Sequence, residues 1–143
     1  MDKGLIIHSV VLAQNKILIL KRSKQNDVLS GYWDIPGGTL ENGEDPVAGA
    51  IREAQEESGL SLDNLGLFYY TSNVDQSKNK QFVRLIFLAT TNDNLDKVTV
   101  NPEEHSEFRW VDFNEIGSYQ VVDYLIPCID YLKNKKHPLF QLT

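Results

Sequence analysis

Three glutamates, Glu53, Glu56 and Glu57, stand close together in "REAQEESGL", residues Arg52 to Leu60. The run has helical character. Residues three and four apart are neighbours on a helix, so Glu53 faces both Glu56 and Glu57. Each like-charge pair costs roughly 0.2–0.5 kcal/mol, and no nearby lysine offsets it. A solvated face is the ordinary explanation of an acidic helix. Three features point elsewhere. The acids lack cations at the i+4 positions. They lie beside the small-to-apolar face of Val47, Ala50, Ile51, Ala54 and Ser58, roughly 100° round the axis, rather than opposite it. They also follow a loop with Gly37 and Gly38, where bare backbone lets a ligand approach closely. Hard divalent cations take oxygen ligands, and Mg²⁺ typically accepts one or two carboxylates together with substrate phosphates and waters. A cation would turn mutual repulsion into shared attraction. It would also let an acidic site accept a polyphosphate, since a bridging metal polarises phosphorus and lowers the pKa of a bound water. The chemistry indicated is metal-assisted attack of water at phosphorus.

The flanking elements are legible. Asp45 fits a helix N-cap, Pro46 the first helical position and Gly59 the residue just past the end. Upstream, "LIIHSVVLA" and "KILILKR" read as two strands joined at Asn15. "SKQNDVLSGY" reads as a loop, "WDI" as a short strand ended by Pro36, and "PGGTLENGED" as a turn-rich loop. Downstream, "LGLFYYTSN" and "KQFVRLIFLATT" are strands across a polar turn, a short strand is expected near Val98–Val100, and "EFRWVDF" is the last strand. Val121, Tyr124, Leu125, Cys128 and Leu132 keep helical spacing, with Pro127 forcing that helix to start late or kink. Strands on both sides of a central helix, then a C-terminal helix, predict an α/β sandwich with a mixed sheet.

The 143 residues suit a single domain spanning 1–143, and a chain of this size buries about 68–70% of its unfolded surface. The net charge of −6 argues against a nucleic-acid or anionic-membrane binder, which would show a basic face. The lone Cys128, in an apolar helical pattern, reads as a buried inert thiol. The N-terminal apolar run is broken by His8 and Ser9, so neither a signal peptide nor a membrane span is evident, and a cytoplasmic protein is expected.

The stretch "GGTLENGEDPVAGAIREAQEESGL" resembles the Nudix box of the MutT-like Nudix hydrolases. Gly38, Glu44, Arg52, Glu53, Glu56, Glu57, Gly59 and Leu60 occupy the family's positions, and Ala54 is a small occupant of an aliphatic slot. "GYWDIPGG" just ahead is also similar. The resemblance implies the Nudix fold, an α/β/α sandwich with a mixed central β-sheet. It implies hydrolysis of a nucleoside diphosphate linked to another group X, with Mg²⁺ or Mn²⁺ as cofactor. It assigns metal ligation to Glu53, Glu56 and Glu57, with the Gly37 or Gly38 backbone lining the site. Arg52 and Glu44 would hold the glutamates in place, and Glu53 doubles as general base in some members. In others a loop glutamate does so; of Glu103, Glu104 and Glu107, Glu104 best matches the spacing ahead of Arg109, Trp110 and Val111.

Outside the box the assignments are thinner. Lys21, Arg22 and Lys24 are a solvated strand end or a phosphate or base contact; Arg22 is the candidate. Tyr32, Tyr69, Tyr70 and Phe82 either pack or stack a base, with Tyr32 the candidate for substrate contact. Trp33 and Trp110 are expected in the core, and His8, His105 and His137 share no metal-ligand spacing. No proline lies between Pro46 and Pro102, which disfavours an ADP-ribose enzyme by the resemblance. A nucleoside triphosphate or modified nucleotide is the expected small-molecule partner. ADP-ribose, nucleotide-sugar and dinucleoside polyphosphate cleavage, and a non-catalytic nucleotide-binding regulator, remain the alternatives.

Overall fold

The computed structural model describes residues 1–25 and 29–135. The end of the basic-then-apolar tail, His137 included, lies outside the described residues. Among the described residues, seven strands and two α-helices follow in the order β1 (Asp2–Ala13), β2 (Lys16–Arg22), β3 (Trp33–Asp34), β4 (Gly37–Thr39), α1 (Pro46–Ser58), β5 (Asp63–Asp75), β6 (Lys80–Thr90), β7 (His105–Asp112) and α2 (Leu125–Lys135). The strands form one mixed sheet, in which β1 pairs parallel with β6 over its whole length while β5 and β7 flank antiparallel.

Side-chain alternation along the strands splits the core in two. Val10, Leu12, Ile17, Ile19, Ile86 and Leu88 pack with Leu125, Cys128, Ile129 and Leu132 of α2. Val11, Leu18, Leu20 and Ala89, one residue out of phase, pack with Ala54 of α1, while Ile7 and Phe87 meet Ala50. Each fully buried Leu or Ile contributes about 1.5–3 kcal/mol by leaving water. The sandwich is therefore a helix on each face of the sheet. Among the described residues, no helix is long and apolar enough to cross a membrane.

Strands β1 and β2 share only the register next to their turn, Leu12 with Ile17 and Ala13 with Lys16. Beyond it they separate. β4 takes over the edge of β1 at Ile6–His8, and β3 takes the edge of β2 at Leu20 and Lys21. The sheet thus opens where Ile35 and Pro36 cross from one half to the other, and that opening positions the site.

Three expectations change and one alternative is decided. Gly37–Thr39, expected in a loop, is strand, because the free edge of β1 pairs with it despite the poor strand propensity of glycine. Val98–Val100 is not a strand; a single 3-10 turn at Leu95–Lys97 precedes it, and Val98 packs under α1. Of the two outcomes expected for the last helix, a late start or a kink, it takes the late start, at Leu125, because Val121 bridges Trp33 and Val122 N–H donates to the Trp33 carbonyl. Pro127 then falls in the first turn, where its missing N–H costs nothing. Finally, the buried stripe of α1 is turned toward the acids. It holds Gly49, Ala50, Ala54, Glu57 and Ser58, while Val47 and Ile51 are exposed.

Candidate active site

Helix α1 is held at both ends by local chemistry. The Asp45 carboxylate accepts from the N–H groups of Val47 and Ala48 at 2.9 and 3.4 Å, and Pro46 opens the helix. Gly59, at φ 76°, takes the left-handed conformation and its N–H donates to the Gln55 carbonyl. Between them Arg52 does what no lysine was placed to do. Its Nε and Nη2 grip both oxygens of Glu44 at 2.7 and 2.9 Å, and its Nη1 donates to Glu53 at 2.9 Å and Glu56 at 3.2 Å. This fork lowers the Glu44 pKa from its ordinary carboxylate value and raises that of Arg52.

Glu53 stands against bare backbone. A Cβ on Gly38 would lie 2.6 Å from its Oε1, so only glycine leaves room for the carboxylate there. Burial raises the Glu53 pKa, against the Arg52 hydrogen bond that lowers it. Glu57 is deeper. Its Oε1 accepts from Gly37 N–H at 2.8 Å, its Oε2 lies 4.0 Å from His105 Nδ1, and burial pushes its pKa up to about 9. Glu104 reaches the same point from the turn before β7. Backbone hydrogen bonds tie that turn down: the N–H groups of Glu104 and His105 both donate to the Asn101 carbonyl, and Ser23 N–H donates to the Glu104 carbonyl.

These groups line a cavity of about 680 Å³, within the range of a small-ligand pocket. Glu53, Glu56, Glu57, Glu104, Gly37, Gly38 and Arg22 are all at its wall. Arg52 and Glu44 are not; they sit behind Glu53. Tyr32 is not at the wall either. It packs against the core on the α2 side. Tyr69 stacks near Tyr131 and Tyr70 is exposed, so neither faces the cavity. Of the three loop acids only Glu104 lines it; Glu107 pairs with Lys21 and Arg109 instead.

Apart from Arg22, the far wall was not anticipated. Asp34 is buried and accepts from Arg22 at 3.1 Å, from Ile35 N–H at 2.7 Å and from the Tyr124 hydroxyl, which also meets His8 Nε2 at 3.1 Å. The Arg84 guanidinium lies 3.8 Å from the Tyr124 ring centre. Burial lowers the His8 pKa to about 4, so that ring is neutral. A buried aspartate in "WDIPGG" and a histidine interrupting an apolar strand were the only sequence signals. His8 and Tyr124 are 116 positions apart, so nothing local could join them.

The oxygen-rich donor set and the glycine-lined cradle suit a hard divalent cation. The Nudix domain family matches residues 5–129. This chain belongs to the Nudix family. A Nudix hydrolase from Bacillus subtilis, YvcI, is 24% identical over 131 residues, covering 85% of this chain and 78% of that one. A Mycobacterium tuberculosis relative named putative 8-oxo-dGTP diphosphatase 3 is 34% identical over 89 residues, covering 61% of this chain but only 40% of its own length. In structure, the MutT Nudix hydrolase of Burkholderia pseudomallei superposes with a TM-score of 0.79 at 19% identity, over 91% of this chain and 98% of that one. The Nudix fold is the α/β/α sandwich with a mixed central sheet seen here.

Proposed function

We propose that the chain, acting as one domain, hydrolyses the pyrophosphate bond of a nucleoside diphosphate linked to another group. The observation that carries this is the meeting of four carboxylates, Glu53, Glu56, Glu57 and Glu104, in one cavity whose opposite wall bears Arg22 and Arg84. Glu53, Glu56, Glu57, Glu104 and the Gly37 backbone would hold Mg²⁺ or Mn²⁺. Such a cation neutralises phosphate charge and makes a bound water more acidic. Arg52 and Glu44 keep Glu53 and Glu56 pointed inward. Glu104, exposed and brought beside Glu57 by the turn before β7 rather than by the helix, takes the proton of the attacking water. Arg22 and Arg84 offer guanidinium forks to the anionic or carbonyl groups of the nucleotide.

A nucleoside triphosphate or modified nucleotide is the favoured substrate. The retained box glutamates argue against a purely regulatory nucleotide-binding domain. A cytoplasmic location, beside the nucleotide pools, is part of the same proposal. The test is a panel of nucleoside triphosphates, oxidised nucleotides, ADP-ribose, sugar nucleotides and dinucleoside polyphosphates with Mg²⁺ or Mn²⁺, with the products identified. Cleavage of a triphosphate to monophosphate and pyrophosphate is expected. Nucleotide binding with no metal-dependent cleavage of any panel member would overturn catalysis.

A further inference from the structure

The residue just after Glu104 has no role in the reading above, yet it occupies the floor of the same cavity. His105 is 4% exposed, and its Nδ1 is buried without a hydrogen-bond partner. A buried polar nitrogen left unpaired is costly, and native structures normally satisfy it. Glu57 Oε2 lies 4.0 Å away, too far for a hydrogen bond. The other Glu57 oxygen is already taken by Gly37 N–H at 2.8 Å, so Oε2 is the one left facing the imidazole.

We propose that His105 Nδ1, Glu57 and Glu104 form a mixed nitrogen–oxygen site for a first-row transition cation, preferred there over Mg²⁺. Their ligand atoms lie within 4.8 Å of one another. Bonds of about 2.0–2.2 Å reach donors up to about 4.2 Å apart. At 4.0 Å the His105–Glu57 pair fits with the two donors nearly opposite each other across the cation, and the exposed Glu104 side chain supplies the remaining adjustment. The backbone is fixed in advance. His105 N–H and Glu104 N–H share the Asn101 carbonyl, and Ser23 anchors the turn through its N–H to Glu104 and its hydroxyl to the Glu103 carbonyl. An imidazole at this point changes selectivity, since Mg²⁺ favours oxygen and a transition cation accepts nitrogen as well.

The inference rests on the metal-dependent reading of the cavity, and its test separates the two. Mn²⁺ is added to the full chain without nucleotide, in samples carrying natural or ¹⁵N-labelled histidine, and pulsed EPR reads the nitrogen coupling. Wild type should show directly bound nitrogen that changes with the label. His105→Gln should lose it, and should weaken Mn²⁺ binding about tenfold or more, with a smaller loss for Mg²⁺. The wild-type spectrum decides alone if the variant does not fold. Mn²⁺ bound without nitrogen coupling, or coupling that survives His105→Gln, overturns the proposal. If the same samples still hydrolyse nucleotide with Mg²⁺, only the nitrogen ligand fails. If no cation binds and no nucleotide is cleaved, both readings fall.

Discussion

Glu57 shows how one side chain carries both a cost and a use. It is 7% exposed and meets His105 rather than a lysine or arginine. Its pKa of about 9, raised by burial from 4.5, means that the folded chain holds a proton the unfolded chain releases between those values. Stability conferred by that proton is complete at low pH and is lost as pH rises through the window. Glu57→Gln removes this dependence. In metal-free buffer its melting temperature should exceed wild type at pH 8, with the gain shrinking toward pH 4. Its turnover with metal should fall by orders of magnitude, because the proposed metal site loses a charged ligand. A melting difference that is flat with pH would refute the buried, protonated acid. Glu104 is tested by contrast with Glu107. Glu104→Gln should lower kcat by about 10²–10⁴-fold if it takes the water's proton, with little change in stability. Glu107→Gln, on a strand outside the cavity, should stay near wild type. The opposite pattern would move the base to Glu107.

At the scale of the element, α1 is a positioning device. Its cap, its bidentate Arg52–Glu44 fork and its small buried residues set where three carboxylates point. Asp45→Ala removes the acceptor for two N–H groups of the first turn. It should cost about 1 kcal/mol and lower the melting temperature by about 3 °C. The catalytic loss should be smaller than for any ligand glutamate, since Arg52 still holds its partners. An unchanged melt would show that the cap is not made in solution. On the other face, α2 buries Cys128 completely, and desolvation pushes the thiol up to about 12. A thiol reagent should label it only as fast as the chain unfolds. Rapid labelling under native conditions would mean that α2 does not stay docked.

Across the whole molecule, the acids gathered in one cavity make the apo protein self-repelling. A cation that binds only the folded chain stabilises it by mass action, about 2.7 kcal/mol at a hundredfold excess over its dissociation constant. Thermal melts in millimolar Mg²⁺ or Mn²⁺ should therefore lie above melts in EDTA. Coincident melts, with and without a non-hydrolysable nucleotide, would count against the metal site. The opening between β1 and β2 is what makes such a cavity possible. It lets the acids of α1, on one face, share a space with His8, Arg84 and Tyr124 on the other.

Periodicity and end signals determined much of this protein locally. Asp45, Pro46 and Gly59 bounded α1 because caps are local hydrogen-bond chemistry, and "KILILKR" matched β2 end to end. The acids of the box and the arginine among them were legible for the same reason: their spacing along a helix is also their spacing in space. Glu104 was reached only through a likeness, since nothing in a polar loop says which acid turns inward. Tertiary structure decided the rest. The free edge of β1 made a strand of Gly37–Thr39, and the pairing of Val121 with Trp33 delayed α2. Packing against the sheet rotated Glu57 into the buried stripe of α1. The network of Asp34, His8, Tyr124 and Arg22, and the meeting of His105 with Glu57, join residues from distant parts of the chain. Such contacts exist only after the sheet has formed, and no pattern along one segment encodes them.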